Sequence, residues 1–290
     1  MTKTIQARTS GQTLALALGG GGARGIAHIH VLEVLDEMGI QPVAISGTSV
    51  GALIGSASAS GMSGLEVREF IVETFGNKGR FLTKLWRQFP TSVGEFVSRG
   101  WPKLGELDAE RVLNTFMPEQ VPDLMEDLKI PLCVVATDFY GQRALCISKG
   151  PLKNAVAASI AIPAVFKPVL VNGIVCIDGG IANPVPFDQL YDRADIVLAI
   201  DVVGSPKGEP GDVPSRVEAL FGASQLMMQT TTSMKMIIRP PEILLRPDVN
   251  AYRVHDFFKT EKILAETTCF RDEVKRAIDT AFEGHLKMVS

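Results

Sequence analysis

The apolar positions of the chain fall into short runs that alternate with longer stretches of helical spacing. Strand-length runs lie at residues 13–18, 42–45, 131–137, 144–147, 173–177, 195–200 and 242–245. Helices are predicted over residues 24–38, 50–60, 65–75, 152–161, 215–237 and 259–286. Because strands and helices alternate along the chain, the pattern predicts an α/β fold in which helices cover a mostly parallel central sheet.

The same pattern indicates how the chain is organised. It has 290 residues, and no linker separates two apolar cores. We therefore predict a single domain over residues 13–290, preceded by a polar N-terminal tail over residues 1–12. The helix predicted over residues 215–237 is rich in methionine, and its methionines are expected to be packing residues because methionine fills irregular gaps in a core. These are Met227, Met228, Met234 and Met236.

Residues 76–105 interrupt the alternation of strands and helices. Five apolar side chains in this segment share one helical face, namely Phe81, Leu82, Leu85, Trp86 and Phe89. Basic residues lie off that face or at its edge, which is typical of a helix that rests at a membrane interface. Two other interpretations stay open for this insertion: a lid over the site, or a contact in a homodimer.

Composition narrows the class of protein. The formal net charge is −3, whereas nucleic-acid binders normally carry a basic excess, so no nucleic-acid partner is expected. The N-terminal region has no apolar signal-peptide core, and the longest apolar runs are strand-length. We expect a cytoplasmic protein that is at most peripheral at the inner membrane face. The four cysteines form no CxxC pair and are expected to be reduced and buried.

A G-x-S-x-G turn supplies the first candidate for chemistry. Its Gly47, Ser49 and Gly51 lie between a predicted strand and a helix of small residues. Glycines on both sides of the serine remove side chains that would clash in a sharp strand-to-helix turn, which leaves the hydroxyl exposed at the tip. The pattern predicts Ser49 as a nucleophile, although an ordinary Gly-Ser turn has the same composition.

A glycine-rich loop follows the first predicted strand, where Gly20, Gly22 and Gly25 match the dinucleotide-binding pattern G-x-G-x-x-G. A dinucleotide site needs an acidic residue at the end of the second strand, and the serine turn stands there instead. No Gly-Lys-Ser/Thr follows, which excludes a P-loop. Free N–H groups at a helix N-terminus suit the oxyanion of a tetrahedral intermediate, so Gly20, Gly21 and Gly22 are predicted to form an oxyanion hole. Arg24 is interpreted as a contact to a phosphate headgroup, a support for the loop, or an ordinary surface arginine.

The serine needs a group that accepts its proton. His28 and His30 lie inside the first predicted helix and are interpreted as structural. His255 follows Asp178 in the chain order of an α/β-hydrolase triad, but its neighbourhood lacks a glycine and a clear strand-end loop. Asp178 ends an apolar strand, and Gly179–Gly180 let the chain turn so that the carboxylate points across the site. Partial burial beside the serine would raise the pKa of Asp178 and improve it as a base.

Together these motifs resemble the patatin-like phospholipases. They lie at residues 20–25, 47–51 and 178–186, and the last of them contains Asn183. The resemblance covers roughly residues 14–201, and the compact bacterial branch near the catalytic domain of neuropathy target esterase is the most similar.

The resemblance implies a three-layer α/β/α fold and a Ser-Asp dyad without a catalytic histidine. Ser49 would be the nucleophile, Asp178 the proton acceptor, and Gly20 to Gly22 the oxyanion hole. It also implies hydrolysis of acyl esters of phospholipids or lysophospholipids through an acyl-enzyme, with no metal and no cofactor. The supporting residues would be Arg24, Gly25, Gly47, Gly51, Gly179, Gly180 and Asn183. Two alternatives use the same scaffold: acyl transfer to a lipid acceptor, and a non-catalytic lipid-binding regulator.

Overall fold

The structure is a computed structural model that describes residues 11–289 except 77, 80–106, 207 and 210. Most of the predicted N-terminal tail and nearly all of the predicted insertion at 76–105 lie outside the described residues. The interpretations of that insertion as a lid, a membrane contact or a dimer contact therefore stay predictions.

Strands and helices alternate as predicted over most of the described chain. The strands are β1 (Leu14–Leu18), β2 (Ala44–Thr48), β3 (Leu132–Asp138), β4 (Arg143–Ile147), β5 (Val169–Val171), β6 (Ile174–Asp178), β7 (Ile196–Ile200) and β8 (Ile243–Leu245). The helices are α1 (His28–Glu37), α2 (Val50–Ala59), α3 (Gly64–Phe75), α4 (Ala109–Phe116), α5 (Leu152–Ser159), α6 (Arg216–Ile238), α7 (Thr260–Glu266) and α8 (Phe270–Val289). No helix in the described part of the chain combines the length and the apolar character needed to cross a bilayer.

The strands form one mixed sheet in the order β5-β6-β3-β2-β1-β7-β8, with β4 paired to β3. The pairs β1–β2, β1–β7, β2–β3 and β7–β8 are parallel. At the other end, β3–β4, β3–β6 and β5–β6 are antiparallel, and a four-residue connection between β3 and β4 suits a hairpin. The prediction of a mostly parallel central sheet is confirmed.

Helices cover both faces of this sheet. On one face Leu14, Leu16 and Leu18 join the large core that includes α1 and α2. On the other face Ala15 and Ala17 pack with a 3-10 turn at Phe187–Leu190 and with methionines of α6. Burial on both faces explains why β1 is a continuous apolar run rather than an alternating one. The three-layer arrangement implied by the resemblance is confirmed.

Four elements differ from the predicted pattern. The first helix begins with a 3-10 turn at Gly22–Ala27, and neither β5 nor α4 was predicted. The closing helix predicted over 259–286 is broken between α7 and α8. At this break the hydroxyls of Thr267 and Thr268 bond the carbonyls of Ile263 and Leu264, which offers the backbone an alternative to a continuous helix.

The expectation of reduced, buried cysteines is wrong, and the expectation of packing methionines holds for two of the four, since Met228 and Met236 pack against the core. Cys133 and Cys146 are joined in a disulfide between the neighbouring strands β3 and β4, and the free Cys269 is exposed, so only Cys176 is both free and buried. The cytoplasmic localisation, which leaned on reduced cysteines, stays a prediction. Met227 and Met234 of α6 are 57% and 60% exposed, because they lie on the side of the helix that faces away from the sheet.

Candidate active site

Ser49 occupies the turn between β2 and α2, with φ 55° and ψ −123°. A non-glycine residue with these angles stores backbone strain, typically about 1–3 kcal/mol, which persists only where the surroundings enforce it. The surroundings here are tight. A Cβ atom at Gly51 would lie 2.1 Å from the Leu18 carbonyl oxygen, and one at Gly47 would lie 2.6 Å from the Ala52 Cα. The predicted strand–turn–helix is therefore present, and its glycines are sterically required.

Asp178 reaches the nucleophile candidate from the carboxyl end of β6. The Ser49 hydroxyl donates a hydrogen bond of 2.8 Å to Asp178 Oδ2. The other carboxylate oxygen, Oδ1, accepts the N–H of Gly180 at 2.7 Å, and the Thr137 hydroxyl donates to the Asp178 carbonyl at 2.8 Å. A Cβ atom at Gly179 would lie 2.0 Å from the Val135 carbonyl oxygen, so only glycine allows this approach. The carboxylate is thus held in one orientation, facing the serine.

The environment of Asp178 makes its carboxylate a stronger base. Its residue is only 4% exposed. Burial raises the pKa of Asp178 to about 6, while the hydrogen bonds from Gly180 and Ser49 act in the opposite direction. A carboxyl group with this pKa is ionised at neutral pH and can accept a proton from a hydroxyl more readily than an exposed aspartate can.

Two of the histidines make buried hydrogen bonds away from Ser49 and Asp178. His28 is fully buried and its Nε2 pairs with the Gly19 carbonyl at 2.9 Å, while burial lowers the pKa of His28 to about 4. His30 is also buried and contacts the Leu264 carbonyl, which confirms a structural interpretation for both. His255 is exposed. Within the described part of the chain, no hydrogen bond joins a histidine to Ser49 or Asp178.

The glycine loop lies directly against the nucleophile turn, since a Cβ atom at Gly20 would lie 3.3 Å from the Ser49 Cβ. The Gly20 N–H, however, donates to the Pro184 carbonyl at 2.9 Å and is not available to an oxyanion. The N–H groups of Gly21 and Gly22 donate to no other described residue. Gly25 packs the loop onto α2, because a Cβ atom there would lie 2.3 Å from Val50 Cγ1.

Arg24 supports the loops around the site. It is only 3% exposed, its Nε donates to the Tyr252 carbonyl at 2.8 Å, and its Nη1 donates to the Val203 carbonyl. Of the three interpretations made from the sequence, the structure favours loop support, since a guanidinium committed to carbonyls inside the protein has little reach toward a headgroup.

Two supporting interactions could not be recognised in the sequence. The buried Ser159, at the end of α5, accepts the N–H of Ser49 at 2.8 Å and donates to the Val135 carbonyl at 2.5 Å. The Asn183 carbonyl accepts the Thr48 hydroxyl at 2.8 Å, which ties the loop after β6 to the residue before the nucleophile. Both depend on tertiary contacts between distant segments, and no local pattern marks them.

Replacing Ser159 by alanine is expected to lower both stability and activity. The buried N–H of Ser49 would lose its acceptor, which costs about 1–3 kcal/mol, and a loss of about 1.4 kcal/mol in transition-state positioning corresponds to roughly a tenfold lower rate. Urea unfolding and hydrolysis of a soluble ester measure the two effects. Ser56→Ala is the matched control, because Ser56 is equally buried but its hydroxyl donates to the Leu53 carbonyl of its own helix rather than to a residue of the site. Equal activity in both variants would refute the assigned role.

A sequence model described as Patatin-like phospholipase matches residues 16–191, more than half of the chain. The matched range contains the glycine loop, Ser49 and Asp178. The chain belongs to the patatin-like phospholipase family. The resemblance predicted from the three motifs is confirmed.

The relatives of this patatin-like chain include members of the NTE group. An uncharacterised NTE family protein of Mycobacterium tuberculosis is 34% identical over 212 residues, which are 73% of this chain and 55% of that protein. The protein named Lysophospholipase nte1 of Neosartorya fischeri is 29% identical over 315 residues, covering 97% of this chain and 19% of that protein. The chain thus spans about half of the first relative and a fifth of the second. The crystal structure of VipD from Legionella pneumophila matches with a TM-score of 0.42 at 17% identity, covering 88% of this chain and 67% of VipD.

Proposed function

We propose that this protein is a serine esterase that hydrolyses acyl ester bonds of phospholipids or lysophospholipids. The observation that carries the proposal is the 2.8 Å hydrogen bond from Ser49 to Asp178, made on a turn whose backbone is held at φ 55°. A hydroxyl paired with a buried carboxylate of raised pKa is suited to nucleophilic attack. Membership of the patatin-like phospholipase family and the name of the fungal relative support a lipid ester as the substrate.

The proposed reaction has two steps that use the same residues. Asp178 accepts the proton of Ser49 while Ser49 Oγ attacks the ester carbonyl, and the N–H groups of Gly21 and Gly22 bind the oxyanion of the tetrahedral intermediate. Its collapse breaks the ester bond, the leaving alcohol takes the proton from Asp178, and an acyl-enzyme remains. Asp178 then deprotonates a water, which attacks the acyl group. As this second tetrahedral intermediate breaks its bond to Ser49, Asp178 returns the proton to Ser49 Oγ and a fatty acid is released.

The pKa of Asp178 sets the expected pH dependence. Only the ionised carboxylate can accept the serine proton, and burial raises its pKa to about 6. We expect kcat/KM on a soluble ester to rise about tenfold per pH unit below pH 6 and to level off above it. Rate measurements between pH 4 and pH 8 test this. His255→Ala should leave the profile unchanged, and a midpoint that moves in this variant would indicate a histidine base instead.

Two measurements on the purified protein test the function. A fluorophosphonate probe should label Ser49 stoichiometrically, with the modified peptide located by mass spectrometry. A panel of diacyl phospholipids and lysophospholipids, analysed by mass spectrometry, should show fatty acid release from at least one class. Adding an alcohol acceptor to the same reactions separates hydrolysis from acyl transfer, which would give a new ester in place of the free acid. Labelling at a residue other than Ser49 would overturn the proposal, and so would a panel in which no lipid releases a fatty acid.

A further inference from the structure

Several polar side chains of helix α6 face inward, beside Met228 and Met236. Gln225 and Thr232 are buried, and the Gln229 amide donates to the Gly204 carbonyl at 2.7 Å. The Lys235 ammonium donates to the Val185 carbonyl at 2.7 Å and pairs with Asp188. A helix on the surface of a globular protein normally has the opposite arrangement, with apolar residues inward and polar residues outward.

The outward side of α6 is apolar. Six large apolar side chains along it are 54–84% exposed: Leu220, Leu226, Met227, Met234, Ile237 and Ile238. We call this set the outer face of α6. Between Glu218 and Lys235 the helix has no charged residue at all. The uncharged Thr230 and Ser233 are exposed among these side chains. Large apolar side chains that share one exposed side of a helix suit contact with another apolar body.

The outer face lies next to the candidate active site. The inward Met228 reaches Gly180, the residue that binds the Asp178 carboxylate, since a Cβ atom at Gly180 would lie 2.9 Å from Met228 Cε. The adjacent Met227 belongs to the outer face. Helix α6 itself therefore lies between the dyad and the exposed apolar surface.

We propose that the outer face of α6 docks on a phospholipid surface and brings the dyad to its substrate. This inference rests on the proposed function, because the position of the outer face beside the dyad serves catalysis only if the protein hydrolyses lipid esters. The charges of the helix suit this partner: its middle is uncharged, as the acyl region requires, and the exposed Arg216 lies in its first turn, where a long basic side chain can meet headgroups.

The size of the face favours a lipid surface over a second protein copy. From Leu220 to Ile238 the helix is about 27 Å long, and one exposed stripe about 10 Å wide offers roughly 270 Å². A stable protein pair buries about 800 Å² on each partner, which is far more than this stripe supplies. A helix that lies flat in a bilayer interface needs only one apolar stripe.

Vesicle sedimentation tests the docking surface independently of catalysis. The full chain carrying Ser49→Ala is mixed with vesicles of phosphatidylcholine and phosphatidylglycerol in equal parts, so that no lipid is cleaved. Adding Met227→Ser, Met234→Ser and Ile237→Ser together should weaken binding by at least about tenfold, because the buried apolar area is lost. The control carries Leu65→Ser, Leu124→Ser and Leu170→Ser, which are similarly exposed on other elements, and should bind like the parent.

The same three serine substitutions, made in a protein that keeps Ser49, should leave kcat/KM on a soluble ester unchanged and lower hydrolysis of vesicle lipids about tenfold. Unchanged vesicle binding would overturn the docking surface, as would a dimer in light scattering that these substitutions dissociate. Normal vesicle binding without cleavage of any ester would instead overturn the proposed esterase function, so the two failures can be told apart.

Discussion

Replacing Ser49 by alanine is expected to abolish release of fatty acid, with a loss of about 10⁴-fold or more. The reason is that no other hydroxyl of the described residues bonds the carboxylate of Asp178, which would have no nucleophile to activate. The fold should survive with a loss of about 1–3 kcal/mol in the free energy of unfolding, because alanine keeps the Cβ atom but leaves the buried Asp178 Oδ2 without its hydrogen-bond donor. Mass-spectrometric quantification of the released acid, alongside urea unfolding, measures both quantities.

Ser60→Ala is the control for this experiment. Ser60 follows the same helix α2, and its hydroxyl bonds the Ser56 carbonyl rather than any residue of the site. This variant should retain full activity. Cleavage by Ser49→Ala at more than a few per cent of the wild-type rate would mean that another group makes the attack. In that case Ser49 would not be the residue that forms the acyl-enzyme.

The sequence predicted the elements whose apolar runs are long and regular, and it missed those whose existence depends on contacts. β1 is five consecutive buried residues, which is typical of a strand buried on both faces. β5 has only three residues, and it exists because it pairs with β6 across a tight turn. The antiparallel direction of β6 relative to β3 likewise depends on the path of the chain that connects them, which no local pattern encodes.

In the candidate site, too, the sequence predicted some features and missed those that depend on tertiary contacts. Ser49 and Asp178 lie 129 positions apart, and the strand end before Gly179–Gly180, together with the resemblance of three ordered motifs, paired them in the sequence; in the structure they lie 2.8 Å from each other. Ser159 accepts the N–H of Ser49, and the N–H of Gly20 donates to the Pro184 carbonyl. Both hydrogen bonds join segments that are distant in the sequence, so no local pattern predicts them. The exposed side of α6 was missed because methionines usually pack in a core, and only the structure distinguishes the inward Met228 from the outward Met227.

Replacing Asp178 by asparagine is expected to abolish activity and, unusually for an active-site change, to stabilise the fold. Its pKa is raised from 3.8 to about 6, so the folded state holds this proton more tightly than the unfolded chain does. The stabilising contribution of the neutral carboxyl is fully present below about pH 4 and is lost as the pH rises to 6. Above pH 6 the buried carboxylate costs about 3 kcal/mol, which the neutral amide avoids.

The measurement is urea unfolding of the wild type and Asp178→Asn at pH 4.5 and pH 8, together with ester hydrolysis at pH 8. The stability difference should be small at the lower pH and reach about 2–3 kcal/mol at the higher one, in favour of the variant. Asp188→Asn is the control, and its free energy of unfolding should change in the opposite direction. Although burial opposes it, the Lys235 ammonium holds the pKa of Asp188 below its ordinary value, so removing this charge should destabilise the protein. An Asp178→Asn protein that is less stable at pH 8, or that still cleaves esters, would contradict a buried carboxylate acting as the base.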